Sequence, residues 1–186
     1  MALQDRLDAF KADFEAGRLA LKPTREIIDT MRRATTELIN GAQAQRAKKA
    51  GDTAPAFTLK DPEGKPMSSR DLLAKGPLVV SFYRGVWCPY CNLELQALQS
   101  ALPEITARGA SLVAISPQTA PNSRKSQRDN KLEFPILSDV RSEVAELSAS
   151  VSRCPTTWSR SIRASRTICP SSTTIRPGYC RCRHAM

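Results

Sequence analysis

The sequence predicts an α/β protein with a central, mostly parallel sheet flanked by helices and preceded by two N-terminal helices. Three observations support this fold class. Apolar runs of strand length alternate with segments of helical periodicity between residues 57 and 147, the pattern of successive βαβ units. A chain of 186 residues is long enough to bury one core. It has no apolar run of about 18 residues, so we expect no membrane partner.

Residues 1–47 predict a helical extension made of two amphipathic helices. The first places apolar residues at helical spacing before a glycine stop: Leu3, Leu7, Phe10, Phe14 and Gly17. The second opens at Pro23 and Thr24 and has one apolar side: Ile27, Met31, Leu38 and Ile39. Residues 43–49 are polar and basic and predict a frayed end or a linker. Because the extension holds no Cys, His or grouped carboxylates, we interpret it as a packing or dimerisation element, which leaves a homodimer open.

Residues 48–150 predict the α/β domain itself. Its strands are expected at four apolar segments, namely 57–59, 78–83, 110–116 and 134–137. Its helices are expected at 70–74 with Ser69 as cap, at 89–108 with Gly109 as stop, at 122–132, and from 142 onward. The run 78–83 is expected to be the buried central strand.

The most informative segment is Trp87-Cys88-Pro89-Tyr90-Cys91, which ends that strand and opens the long helix. A thiol at a helix N-terminus lies near about half a positive charge and several unpaired N–H groups, and both favour the thiolate. The thiolate is the nucleophilic form of cysteine. Pro89 at the first helical position removes only a donor that the helix would not use. The spacing therefore predicts a redox-active pair in which Cys88 and Cys91 can form a disulfide.

Blander interpretations of the pair are two buried structural thiols or half of a zinc site. The strand-to-helix setting disfavours the first, and the lack of a second cysteine pair in residues 1–150 disfavours the second. Trp87 is either a lid over the site or a packing residue. Tyr90 either contacts substrate or is a partly exposed aromatic at the start of a helix. Arg84 is either a cation near Cys88 or a solvated loop residue.

Two carboxylates, Glu94 and Asp52, are weaker candidates for proton transfer, because a general base requires a geometry that the sequence does not specify. The net charge of +10 is concentrated at the end of the chain, since residues 151–186 hold seven Arg and no acidic residue. No basic helix with interleaved aromatic residues occurs, so we expect no nucleic-acid partner. The N-terminus lacks the pattern of a signal peptide, so we expect a cytoplasmic protein.

Residues 151–186 differ in character from the rest of the chain. They contain six Ser, five Thr and no Leu, and no periodicity of either kind. Cysteine and histidine residues there have the wrong spacing for zinc: Cys154, Cys169, Cys180, Cys182 and His184. A shifted reading frame explains the change better, because shifting the codons by two bases permits a string of balanced charge that ends in Trp-x-Leu-Pro-Met-Pro-Ala-Arg. We therefore predict a disordered, out-of-frame tail, which sequencing the coding DNA of an independent isolate tests.

Residues 48–148 resemble a known family in three segments. Residues 51–59 (Gly-Asp-Thr-Ala-Pro-Ala-Phe-Thr-Leu) resemble the first strand of peroxiredoxins. Residues 82–91 (Phe-Tyr-Arg-Gly-Val-Trp-Cys-Pro-Tyr-Cys) and 134–139 (Phe-Pro-Ile-Leu-Ser-Asp) resemble the peroxiredoxin-like branch of the alkyl hydroperoxide reductase and thiol-specific antioxidant family. The resemblance implies a thioredoxin-like fold and thiol-dependent reduction of hydrogen peroxide or organic hydroperoxides. It also implies that no metal, haem or flavin is required.

By this resemblance Cys88 is the peroxidatic cysteine, whose thiolate becomes a sulfenic acid. Cys91 then resolves the acid as a disulfide, and a thioredoxin-type or other thiol reductant restores the pair. Arg84, Trp87, Pro89 and Tyr90 are the expected supporting residues.

The chain also departs from the family pattern. Typical peroxiredoxins carry a Thr three residues before the peroxidatic cysteine, where this chain has Gly85. The family's downstream Arg and the cis-Pro of thioredoxin folds would both fall in the altered tail, as would its last two strands and final helix. The alternatives left open are a thioredoxin-like protein disulfide oxidoreductase, a redox sensor and an inactive truncated product.

Overall fold

The computed structural model describes residues 2–20 and 22–148. The helices are α1 (Leu3–Glu15), α2 (Arg25–Asn40), α3 (Gln43–Arg46), α4 (Ser69–Leu73), α5 (Pro89–Ala107), α6 (Ala120–Asn130) and α7 (Glu143–Leu147). The strands are β1 (Thr58–Lys60), β2 (Pro66–Ser68), β3 (Leu78–Phe82), β4 (Ser111–Ser116) and β5 (Ile136–Ser138). The predicted out-of-frame tail, with the four cysteines and the histidine considered for zinc, lies outside the described residues.

The described strands form one mixed sheet in the order β2-β1-β5-β4-β3. β4 pairs in parallel with both β3 and β5, and β1 runs antiparallel to β5 and β2. The α/β class is confirmed, with a parallel part where the cysteine turn begins and an antiparallel hairpin beyond it. The sequence prediction missed β2, because it is three residues long, starts with Pro66 and depends on contacts with distant segments, among them its pairing with β1.

The prediction that residues 78–83 form the buried central strand is wrong for the described part of the chain. β3 lies at the end of the strand order, and Val79 and Val80 are 37% and 36% exposed. β4 is the buried strand, with Val113 and Ala114 fully inaccessible. Both strands are apolar runs of similar length, so composition alone does not distinguish their places in the sheet.

Successive residues of β4 point to opposite faces of the sheet, and each face carries its own core cluster. One cluster packs under α5 and contains Leu95, Leu112 and Ala114 together with Cys88 and Cys91. The opposite cluster groups residues from several other elements: Phe57, Leu72, Val113, Ile115, Leu137 and Val144. Both candidate thiols are therefore built into the core at the start of α5.

The N-terminal extension packs on this domain through α1, which contacts α5. The ring of Phe10 meets that of Tyr90 edge-on, with centroids 5.0 Å apart. α2 begins where predicted, since the Thr24 Oγ1 accepts the Ile27 N–H at 3.3 Å. Its predicted apolar side is only partly right, because Ile39 is 70% exposed. The predicted frayed segment includes the short helix α3.

The structure also corrects the cap of α4. Ser68, one residue earlier than predicted, accepts the Asp71 N–H at 3.1 Å through its Oγ. Ser69 lies inside the helix and its Oγ instead accepts the Phe57 N–H at 3.0 Å. Among the described helices, none combines the length and the apolar character needed to cross a bilayer.

Candidate functional site

Cys88 is the N-cap residue of α5, and its side chain faces the first turn of the helix. The Cys91 N–H donates to Cys88 Sγ at 3.2 Å, and the Cys88 N–H donates to the Gly85 carbonyl at 3.0 Å. Pro89 occupies the first helical turn, as predicted. Both thiols are free, Cys88 is fully inaccessible and Cys91 is 7% exposed. The sulfur of Cys88 therefore occupies the place where a helix N-terminus stabilises negative charge.

Arg84 lies at the same sulfur. Its Nη2 is 3.1 Å from Cys88 Sγ, and its guanidinium stacks 5.4 Å from the centre of the Trp87 ring. The two interpretations offered by the sequence both describe this residue, because Arg84 is exposed and its guanidinium also reaches the Cys88 thiol. Trp87 contacts the guanidinium through its ring while remaining 37% exposed.

The two thiols titrate together beside the permanently charged Arg84. The hydrogen bond from Cys88, with help from Arg84 and against the effect of burial, lowers the pKa of Cys91 to about 6. The same hydrogen bond, together with burial, raises the pKa of Cys88. The first ionisation of the pair therefore falls on Cys91 in the resting site, with Arg84 as counterion. Transfer of the remaining proton from Cys88 to Cys91 would put the charge on Cys88 Sγ, which the Cys91 N–H and Arg84 both contact.

We predict that alkylation of this pair by iodoacetamide has a midpoint near pH 6, because only the thiolate reacts and the first ionisation has a lowered pKa. Below the midpoint the rate should fall about tenfold per pH unit, and above it the rate should level off. The measurement is mass spectrometry of the tryptic peptide of residues 85–108, which contains Cys88 and Cys91 and no other cysteine. A midpoint near the ordinary cysteine value would contradict this description of the pair.

The remaining residues singled out by the sequence have other contacts. Tyr90 is partly buried against Phe10, and burial raises the pKa of its hydroxyl. The Glu94 Oε1 accepts the Ser81 hydroxyl at 3.3 Å, and the Asp52 Oδ2 accepts the Lys49 N–H at 2.8 Å. Each carboxylate thus has a local structural partner away from the sulfur–guanidinium contact.

Sequence reasoning missed Gln118, which lies two residues beyond β4 and is buried. Its Oε1 accepts the Val86 N–H at 2.9 Å, and its Nε2 donates to Tyr83 Oη at 2.5 Å and to Ser126 Oγ at 3.1 Å. Burial raises the pKa of Tyr83 to about 12, so this phenol stays neutral. The carboxyl ends of neighbouring parallel strands meet at one edge of a sheet, so Gln118 could have been found only once the pairing of β3 with β4 was known.

Gly85 stands where the resembling family has a threonine, and the local geometry requires the glycine. Its φ is +150°, a backbone conformation that residues other than glycine rarely adopt. A Cβ on residue 85 would lie 2.8 Å from Trp87 Nε1 and 3.2 Å from Gln118 Oε1. The space of a threonine side chain is therefore filled by the indole and by the carboxamide of Gln118.

No three His, Cys, Asp or Glu side chains within residues 2–20 and 22–148 are grouped as metal ligands. What the site offers instead is a helix-capped sulfur with a cationic partner and a second thiol three residues away. An α/β fold with two thiols on a strand-to-helix turn is the arrangement of thioredoxin-like proteins. Residues 50–162 match the model of the AhpC/TSA family, and the chain belongs to that family.

Individual relatives agree with this assignment. The chain is 35% identical to the chloroplastic peroxiredoxin Q of Sedum lineare over 94 residues, half of either protein. It is also 37% identical over 95 residues to a putative peroxiredoxin of Mycobacterium tuberculosis. The matched segment covers 50% of this chain and 59% of that protein. The chain thus spans half to about three fifths of the length of these relatives.

The solved structure of peroxidoxin BcpB from Mycobacterium tuberculosis superposes with a TM-score of 0.54 at 31% identity. The match covers 59% of this chain and 70% of that one. The thioredoxin-like fold that the sequence resemblance implies is thereby confirmed.

Proposed function

We propose that this protein is a thiol-dependent peroxidase that reduces hydrogen peroxide or organic hydroperoxides, with Cys88 as the peroxidatic and Cys91 as the resolving cysteine. The observation that carries the proposal is the position of Cys88 Sγ, which accepts both the Cys91 N–H and the Arg84 guanidinium at the N-terminus of α5. Membership of the AhpC/TSA family supports the same chemistry.

In the first step the Cys88 thiolate attacks one oxygen of the peroxide, so that an S–O bond forms and the O–O bond breaks. Cys88 becomes a sulfenic acid and the alkoxide leaves. The alkoxide takes a proton and departs as an alcohol, or as water when the substrate is hydrogen peroxide. Arg84 favours this step because its charge stabilises both the attacking thiolate and the oxygen that becomes negative.

In the second step Cys91 attacks the sulfur of the sulfenic acid. An S–S bond forms, and the hydroxyl group leaves as water after taking up a proton. The two-electron oxidation of the thiol pair thus balances the two-electron reduction of the peroxide. A thioredoxin-type dithiol reduces the disulfide by exchange and is itself oxidised. No metal, haem or flavin takes part in either step.

Rapid mixing of the reduced full chain with hydrogen peroxide tests the proposal. Oxidation of the thiols in the folded chain is measured afterwards on the tryptic peptide of residues 85–108. It should be at least about a hundredfold faster than oxidation of free cysteine at the same pH, since the site supplies an ionised thiol and a fixed cation. A rate equal to that of free cysteine, combined with rapid reduction of protein disulfides, would instead establish a disulfide oxidoreductase.

We further predict that Cys91→Ser leaves the first oxidation intact and lets the sulfenic acid persist, because no adjacent thiol remains to resolve it. One equivalent of peroxide should oxidise Cys88, and dimedone should label it in the variant and not in the wild type. An unchanged yield of intramolecular disulfide in the variant would identify a different resolving thiol.

The proposal extends to a homodimer and to a cytoplasmic location. The homodimer left open by the N-terminal helices stays a prediction that light scattering can test. A cytoplasmic location is proposed because a reducing compartment would return Cys88 and Cys91 to the thiol form on which the reaction depends.

A further inference from the structure

The side chain of Gln118 joins three segments that surround the thiols. Its Oε1 accepts from the loop before Cys88, at Val86, while its Nε2 donates to Tyr83 at the end of β3 and to Ser126 on α6. Both ends of the carboxamide are thus used, and the residue is only 7% exposed. A buried amide with this many partners fixes the segments that it joins.

The other backbone polar group of Val86 is held as well. Asn92, on the first turns of α5, donates its Nδ2 to the Val86 carbonyl at 3.1 Å. The Oδ1 of Asn92 in turn accepts from Asn130 at 3.2 Å, and Gln96 donates to Asn130 at 3.0 Å. Val86 is therefore pinned between two amide side chains, each of which is itself held in place.

Val86 lies midway between the two residues whose contact matters. Arg84 is two positions before it and Cys88 two positions after it, and their side chains meet at 3.1 Å. The intervening Gly85 has no side chain, and its carbonyl accepts the Cys88 N–H at 3.0 Å, so the Val86 contacts add a second constraint on this flexible turn. We propose that Gln118 is a positioning residue for Cys88, whose carboxamide holds Val86 and thereby keeps the Arg84 guanidinium on Cys88 Sγ.

This inference deepens the proposed peroxidase function and rests on it, because the sulfur that Gln118 positions is the one that attacks the peroxide. The titratable groups that interact electrostatically with the Cys88 thiol are Arg84, Cys91 and Tyr90, and Tyr83 interacts with Cys91. Gln118 carries no charge. Removing its amide therefore changes the ionisation of Cys88 only through the positions of these groups.

The test uses the full chain in a Cys91→Ser background, so that Cys88 titrates alone. Alkylation by iodoacetamide is followed against pH on the tryptic peptide that carries Cys88. Gln118→Met, which keeps the length of the side chain and removes its hydrogen bonds, should raise the pKa of Cys88 by about one unit.

The matched control is Gln99→Met. Gln99 also bridges two segments with both ends of its amide, through Glu133, but it lies about 12 Å further along α5 than Cys91. This control should leave the pKa of Cys88 unchanged, even where it lowers the melting temperature.

Arg84→Met provides the decisive comparison, because the effect of Gln118 is argued to pass through Arg84. Without Arg84 as a cleavage site, trypsin releases a peptide of residues 76–108. With Cys91 replaced by serine, Cys88 is the one thiol in that peptide. Gln118→Met should then produce no further shift. An equal shift with and without Arg84, or no shift at all in the presence of Arg84, would overturn the inference.

Should Gln118→Met fail to fold by circular dichroism, Asn92→Ala releases the same residue from its other side and must show the same dependence on Arg84. The assay contains no peroxide, so slow peroxide consumption with the expected dependence intact would count against the proposed function alone.

Discussion

Replacing Cys88 by serine abolishes peroxide consumption, by at least about a thousandfold, if the reaction runs as proposed. The serine hydroxyl fits the N-cap of α5, so the fold should be kept, but it does not ionise in the accessible pH range and cannot form the S–O bond. The measurement is the loss of hydrogen peroxide under turnover with a thioredoxin-type reductant.

Cys91→Ser is the matched control for this substitution, because it makes the same chemical change three residues away. It should still consume one equivalent of peroxide per chain in a single rapid phase, which Cys88→Ser should lack. Turnover that survives in Cys88→Ser would assign the reaction to another thiol and refute the mechanism.

Gly85→Ala should lower the free energy of unfolding by about 2–3 kcal/mol. Two effects combine: the backbone at φ +150° is strained for alanine, and the new Cβ would press on Trp87 and Gln118. Relief of this contact would move the indole or the carboxamide, so peroxide reactivity should also fall. Urea denaturation followed by circular dichroism measures the stability.

Gly109→Ala separates the two effects. Gly109 also has a positive φ, +73°, but a Cβ there would meet no atom within 4 Å. Its cost should be about 1 kcal/mol, from backbone conformation alone. Equal losses in the two variants would show that the contacts at Gly85 contribute nothing.

The cysteine turn could be predicted from the sequence because its signals are local. An apolar strand followed by Cys-Pro-Tyr-Cys and a long helix predicts the first residue of α5. In the structure Cys88 is the N-cap of that helix. Pro89 and Gly109 mark the two ends of the helix for the same reason.

The rest depended on contacts between distant segments. The place of β3 in the sheet is set by its pairing with β4, and β2 exists because β1 lies beside it. The role of Gln118 requires that β4 end beside the loop that follows β3, which no local pattern encodes. The contact of Arg84 with Cys88 Sγ likewise follows from the fold of residues 84–88 and not from their spacing, so the sequence left two interpretations open.

The stacking of Arg84 on Trp87 gives the protein an optical reporter of its own chemistry. The guanidinium contacts both the indole ring and Cys88 Sγ. Oxidation of the thiolate removes the negative charge in contact with the guanidinium and so changes the electric field at the ring. The chain has one other tryptophan, Trp158, which a phenylalanine can replace. In that variant, stopped-flow fluorescence of unlabelled protein should resolve thiolate, sulfenic acid and disulfide as successive changes in emission.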